Sequence, residues 1–81
     1  MIRLDLARLS RAELERTVTE RCAKFGTVLA VVIVQDSAHY DFALASVEMS
    51  TRDEAREVLR YVGESLVDDA VMIRLEQDPA S

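Results

Sequence analysis

Residues 10–34 read SRAELERTVTERCAKFGTVLAVVIV and contain a helix, its end and a strand in succession. The first four match a capping box, in which a serine hydroxyl and a glutamate carboxylate each accept from the other's backbone amide. Apolar residues then recur every three or four positions, at Leu14, Val18 and Cys22, which predicts one buried stripe of a helix. Gly26 is a typical C-terminal cap, so the helix is predicted to end there.

The segment after this helix, residues 27–34, is aliphatic and rich in β-branched residues, which favours a strand. At the start of the chain Ile2, Leu4 and Leu6 alternate with charged residues, and this period of two predicts a half-buried first strand. The short polar connection at residues 35–41 predicts a hairpin into a third strand over residues 42–49.

A second capping box at residues 51–54 opens a second helix, which Gly63 ends. Asp68 and Asp69 predict a turn, and residues 71–75 alternate into a last strand. The order β-α-β-β-α-β predicts an α+β, ferredoxin-like fold, with a four-stranded antiparallel sheet and two helices on one face. Residues 1–76 form the predicted domain, and residues 77–81 a flexible C-terminal tail.

The composition fits one small domain: 81 residues, 49% of them hydrophobic and 31% charged, with a formal net charge of −5. The longest uncharged run, residues 25–34, is about half of what spans a bilayer, so no membrane association is predicted. A single cysteine, Cys22, excludes an internal disulfide and favours a reduced, cytoplasmic protein.

Catalytic and metal-binding patterns are missing from the sequence. His39 lies in the predicted hairpin connection with Asp36 and Asp41 nearby, but a metal site needs further ligands at fixed geometry. No glycine-rich phosphate loop, nucleophile–base pair or carboxylate pair can be assembled. We therefore predict no enzyme activity, no metal and no cofactor.

Four short segments occur in a characteristic order and separation: residues 2–6, 25–28 (Phe-Gly-Thr-Val), 47–49 (Val-Glu-Met) and 55–63. In these segments the chain resembles the RNA recognition motif (RRM) family over residues 2–76. The resemblance implies an RRM-like sandwich that binds single-stranded RNA across its open sheet face. In that family, aromatic side chains from two strand motifs stack on the bases.

The base-stacking residues of that family are not matched here. The positions that carry the family's stacking rings hold Arg3, Leu44 and Ser46, and Phe42 replaces a basic residue. Since stacking contributes about 1–3 kcal/mol per base, we expect weak or atypical RNA binding. The predicted RNA-contacting residues are Arg3, Phe42, Leu44, Ser46 and Arg74, with Arg3 near the centre of the sheet and Arg74 near its edge.

An alternative hypothesis rests on the apolar side chains of the same face. Strand alternation directs Val32, Val34 and Met72 outward beside Phe42 and Leu44, and exposed apolar area of this extent marks a binding surface. The alternative function is therefore protein–protein interaction or homodimerisation on an RRM-like scaffold, and a two-fold contact would be self-complementary.

Overall fold

The structure, a computed structural model, describes residues 1–36 and 41–79. His39 and most of the predicted hairpin connection lie outside the described residues, as do Ala80 and Ser81. The described elements are β1 Ile2–Leu4, α1 Arg11–Ala23, β2 Val28–Gln35, β3 Phe42–Met49, α2 Arg52–Tyr61, β4 Ser65–Val67 and β5 Ala70–Gln77. The architecture is α+β, compatible with the ferredoxin-like class.

Both helices begin at the capping boxes that the sequence predicts. In α1 the Ser10 hydroxyl accepts from the Glu13 amide at 3.2 Å, and the Glu13 carboxylate accepts from the Ser10 amide at 3.1 Å. In α2 the reciprocal bonds between Thr51 and Glu54 are both 3.1 Å long. These bonds satisfy amides that have no partner within the helix, and they place each helix start where the sequence predicts it.

The sheet differs from the prediction of four antiparallel strands. It is a five-stranded mixed sheet in the order β1-β5-β3-β2, with β4 also paired to β5. β1 runs parallel to β5, whereas the other pairs are antiparallel. The backbone groups along both edges of a central strand must be paired. β5 has eight residues and pairs with β3 along one edge and with β1 and β4 along the other, whereas β1 has only three residues. The amides of Arg8 and Leu9 both donate to the Asp5 carbonyl, and this turn follows the end of β1.

The fifth strand was not predicted from the sequence. Asp68 and Asp69 form the expected turn, but the turn joins two paired strands, with Val67 opposite Ala70. Asp68 adopts φ 56°, a left-handed conformation that aspartate tolerates and that short hairpin turns require. β4 pairs with the first part of β5 and β1 with the last part, so these two short strands share one edge.

The core lies between the sheet and the two helices. The alternation predicted for β3 is confirmed, because Ala43, Ala45 and Val47 point to the helices and are fully buried. The largest fully buried side chains are Ile73, Leu75, Val18, Val47, Val58, Val71 and Cys22. Neither helix among the described residues has the length and apolar character needed to cross a membrane.

β2 contains two bulges against β3. The register shifts between Val28 and Ala30, and again between Ile33 and Gln35, so Leu29 and Val34 are extra residues on β2. Residues 30–33 between the bulges keep a regular register. Because β2 is apolar on both faces, its alternation could not reveal these shifts.

Candidate interaction surface

The sheet face opposite the helices, called the open face below, is the candidate site. The strand register groups its side chains into rows, with Ser46 between Val32 and Met72, Leu44 between Gln35 and Arg74, and Glu76 between Phe42 and Arg3. Seven of the eight predicted site residues lie in these rows: Arg3, Val32, Phe42, Leu44, Ser46, Met72 and Arg74. The fold therefore brings them together.

Val34, the eighth predicted residue, is displaced from these rows. It is the extra residue of the second bulge, and Gln35 takes the position beside Leu44. Val34 is 53% exposed, so it remains accessible at the sheet edge. The Gln35 amide nitrogen is buried and makes no hydrogen bond within the described part of the chain. The bulge thus replaces an expected apolar side chain in the row with a polar one.

Arg74 makes the closest polar contacts of the open face. Its guanidinium carbon lies 3.8 Å from the centroid of the Phe42 ring, which is a cation–π contact. Its Nε donates to Glu76 Oε2 at 2.5 Å, and both side chains of this ion pair are about one-third exposed. Two of the five side chains predicted to contact RNA, Phe42 and Arg74, therefore contact each other.

The positions of the two arginines are reversed relative to the prediction. Arg74 lies on the central strand and Arg3 on the edge strand, because β5 and not β1 occupies the centre of the sheet. Arg3 is exposed and its neighbour in the register is Glu76. With Glu48 also pointing outward, these strand positions carry two positive and two negative side chains, so the open face has no excess positive charge.

A stacked pair of aromatic rings lies where the two helices end, and sequence reasoning did not identify it. Phe25 and Tyr61 stack with ring centroids 5.5 Å apart and planes 9° apart. Lys24 and Arg60 approach these rings at 5.4 and 5.5 Å. The signal available in the sequence was the repeated order of basic residue then aromatic residue at the end of each helix.

A cavity of about 560 Å³ lies between the start of α2, the β4–β5 turn and the end of β3. Its wall includes Arg52 and Arg56 on one side, Asp68 and Asp69 on another, and Leu66. Charges of both signs line it, and no group of three metal-ligating side chains occurs in the part of the chain described.

Cys22 is fully buried in the core under α1. Desolvation raises the pKa of its thiol to about 11, with Lys24 opposing the shift weakly. The thiol is therefore protonated at neutral pH and inaccessible, which fits a small core residue and not a nucleophile.

Comparison of the chain with protein-family models found no match, and comparisons with curated proteins and with solved structures found none either. The resemblance to RNA recognition motifs therefore stays a prediction from the residues.

Proposed function

We propose that this domain is a protein-interaction module that contacts another polypeptide through its open face. The observation that carries this proposal is the contact of Arg74 with both Glu76 and Phe42. It neutralises the central cation of the face and covers the aromatic ring beside it.

Single-stranded RNA needs both of the groups that this contact occupies. Phosphates are bound by unpaired cations, and bases stack on accessible ring faces. To bind a phosphate as an unpaired cation, Arg74 must leave Glu76, and to let a base stack on the covered face of the Phe42 ring it must leave Phe42. The chain's net charge of −5 adds a general repulsion to a polyanion.

The rest of the open face suits a protein partner. Val32 is 52% exposed. Met72 in the same row and Leu44 in the next row are half-buried. Charged side chains lie beside these apolar ones: the Arg74–Glu76 pair on β5, Arg3 on β1 and Glu48 on β3. Protein interfaces commonly combine apolar side chains with arginines and other polar groups in this way.

A second candidate function is weak binding of single-stranded RNA by a divergent member of the RRM family. The observation in its favour is the placement of Arg3, Phe42 and Arg74 together on one open sheet face. On this proposal Arg74 on β5 supplies the cation, whereas the family pattern has a basic residue at the position of Phe42 on β3.

Photo-crosslinking tests the first proposal directly. A photoreactive amino acid replaces Leu44 on the open face and, as a matched control, the exposed Glu57 on α2. We expect an adduct at position 44 only, sensitive to protease and resistant to ribonuclease. A ribonuclease-sensitive adduct favours the second candidate, and equal adducts at both positions contradict the proposal.

A charge substitution tests the reason given against RNA. Glu76→Gln removes the partner of Arg74, whereas Glu48→Gln removes the same charge from the same face without touching that ion pair. We expect labelled oligoribonucleotides at low salt to bind Glu76→Gln more tightly than the wild type or Glu48→Gln. Tight binding by the wild type, unchanged in both variants, contradicts the proposed role of the Arg74 contact.

A further inference from the structure

We propose that β2 is a dimerisation strand, along which two copies of the chain pair edge to edge and antiparallel. This inference concerns the edge of the sheet and not its open face, so it goes beyond the proposed function.

The outer edge of β2 is available for pairing. β2 pairs with β3 on one side, and no other strand among residues 1–36 and 41–79 pairs with it. The backbone amides and carbonyls of that edge therefore point outward without a strand partner, which is the usual template for strand addition.

The composition of β2 lacks the features that normally protect an edge. Val28–Gln35 contains no charged residue, although 31% of the chain is charged. Seven large apolar side chains are exposed in the described residues, and β2 carries three of them: Leu29 at 58%, Val32 at 52% and Val34 at 53%. The opposite edge is formed by two three-residue strands, and Arg3 lies on one of them. Short strands and charges are the common means of preventing edge pairing.

The register of β2 permits a two-fold contact. In an antiparallel pair of identical strands related by a two-fold axis, one residue lies opposite its own copy. When the axis passes through the middle of the regular run at residues 30–33, this residue is Val31 or Val32. Either choice pairs the regular run at residues 30–33 with apolar residues of the partner. Both choices also keep the two open faces on the same side of the joined sheet.

The bulges limit the contact without removing it. Bulges commonly turn an edge away from pairing, but these two lie toward the ends of β2 and leave the central residues regular. The four regular residues of each copy, 30–33, form about four backbone hydrogen bonds across the pair. A typical interface has about ten hydrogen bonds, so a contact of this size fits a reversible dimer.

Electrostatics gives this dimer a distinctive salt dependence. Each copy carries a formal charge of −5, and the paired strands carry none, so the only long-range force between copies is repulsion. Salt screens repulsion, so dimerisation is expected to strengthen as salt rises. RNA binding responds in the opposite direction, because salt weakens contacts to phosphate.

Sedimentation equilibrium on matched variants tests the inference. Val34→Lys places a charge on the β2 edge, and Val67→Lys places the same charge at an equally exposed valine (54%) on β4, across the sheet. We expect the wild type and Val67→Lys to approach twice the 9.1 kDa mass of one chain as concentration rises. Val34→Lys adds a charge from each copy beside the paired strands and is expected to raise the dissociation constant at least about tenfold.

Hydrogen exchange provides a second measurement that does not depend on a variant. Amides on the outer edge of β2 are expected to exchange more slowly as the wild-type concentration rises, while those of β4 stay unchanged. A wild type that remains monomeric up to about 1 mM overturns the inference, as does equal weakening by both lysines. Crosslinking at position 44 that persists in monomeric Val34→Lys leaves the proposed function standing, so the two can fail separately.

Discussion

The two helices begin with the same four-residue signal, yet the two glutamates of these boxes have different surroundings. In α1 the Glu13 carboxylate accepts from the amide of its own cap residue, Ser10. In α2 the Glu54 carboxylate accepts from the Thr51 amide, from the Ser50 hydroxyl and from the Thr27 amide at 3.3 Å. The first box is local, whereas the second joins residues 27 positions apart.

The second box also sets the path of the chain between α1 and β2. Gly26 has φ +152°, and a Cβ built on it would overlap the side chain of Glu54. Glycine alone adopts such a conformation easily and leaves room for this approach. The same capping pattern, Ser or Thr followed three residues later by Glu, can therefore be a helix cap alone in one place and also a tertiary contact in another.

The largest effect is expected from Gly26→Ala, because the added Cβ is strained in conformation and overlaps Glu54. We expect the free energy of unfolding to fall by about 2–3 kcal/mol, as measured by urea denaturation. In a Glu54→Ala background the overlap is gone, so the further loss caused by Gly26→Ala should be smaller. Equal losses in both backgrounds would show that Glu54 does not restrict position 26.

The two glutamates themselves form the next comparison. Glu54→Ala removes acceptors from three partners and Glu13→Ala from one, so Glu54→Ala should lower the melting temperature more. Thermal unfolding followed by circular dichroism measures both variants under one buffer condition. A Glu13→Ala variant that melts as low as Glu54→Ala contradicts the distinction between the two boxes.

The cap hydroxyls provide the matched control, because each accepts one amide of its own helix. Ser10→Ala and Thr51→Ala are each expected to lower the free energy of unfolding by about 1 kcal/mol. The difference between the boxes should thus appear in the glutamates and not in the caps. A Thr51→Ala effect far larger than that of Ser10→Ala would place the tertiary role in the hydroxyl instead.

The smallest effect is expected from Ser50→Ala, which should change the pKa of the Glu54 carboxyl and not that of Glu13. Hydrogen bonding lowers the pKa of both carboxyls from the ordinary 4.5, mainly through the Ser10 backbone amide for Glu13 and the Ser50 hydroxyl for Glu54. Each carboxylate therefore stabilises the fold above pH 4.5, and this contribution is lost as pH falls through the lowered pKa. Ser50→Ala should raise the pKa of Glu54 and leave that of Glu13 unchanged, as measured by carboxyl carbon NMR titration.

Patterns of a few neighbouring residues were sufficient to predict the features that depend on short-range contacts alone. Both capping boxes, the Asp68–Asp69 turn and the alternation of β3 follow from hydrogen bonds or side-chain directions within a few residues. The placement of Arg3, Leu44 and Met72 on one face follows from the same alternation.

Pairing between distant strands could not be read from those signals. β1 and β5 alternate alike, so nothing local shows which of them is central or that they run parallel. The contact of Arg74 with Phe42 follows from the register of β5 on β3, and the displacement of Val34 from a bulge within an all-apolar strand. Each depends on a partner strand whose identity local alternation leaves undetermined.

The central position of β5 has a consequence for the order in which the molecule assembles. β5 is the last strand along the chain, yet β1, β3 and β4 all pair with it. During synthesis β2 and β3 can pair early. One edge of β3, and β1 as well, has no strand partner until β5 has left the ribosome. The nascent chain thus exposes strand edges until β5 has been synthesised, and closure of the sheet requires contacts between strands that are far apart in sequence.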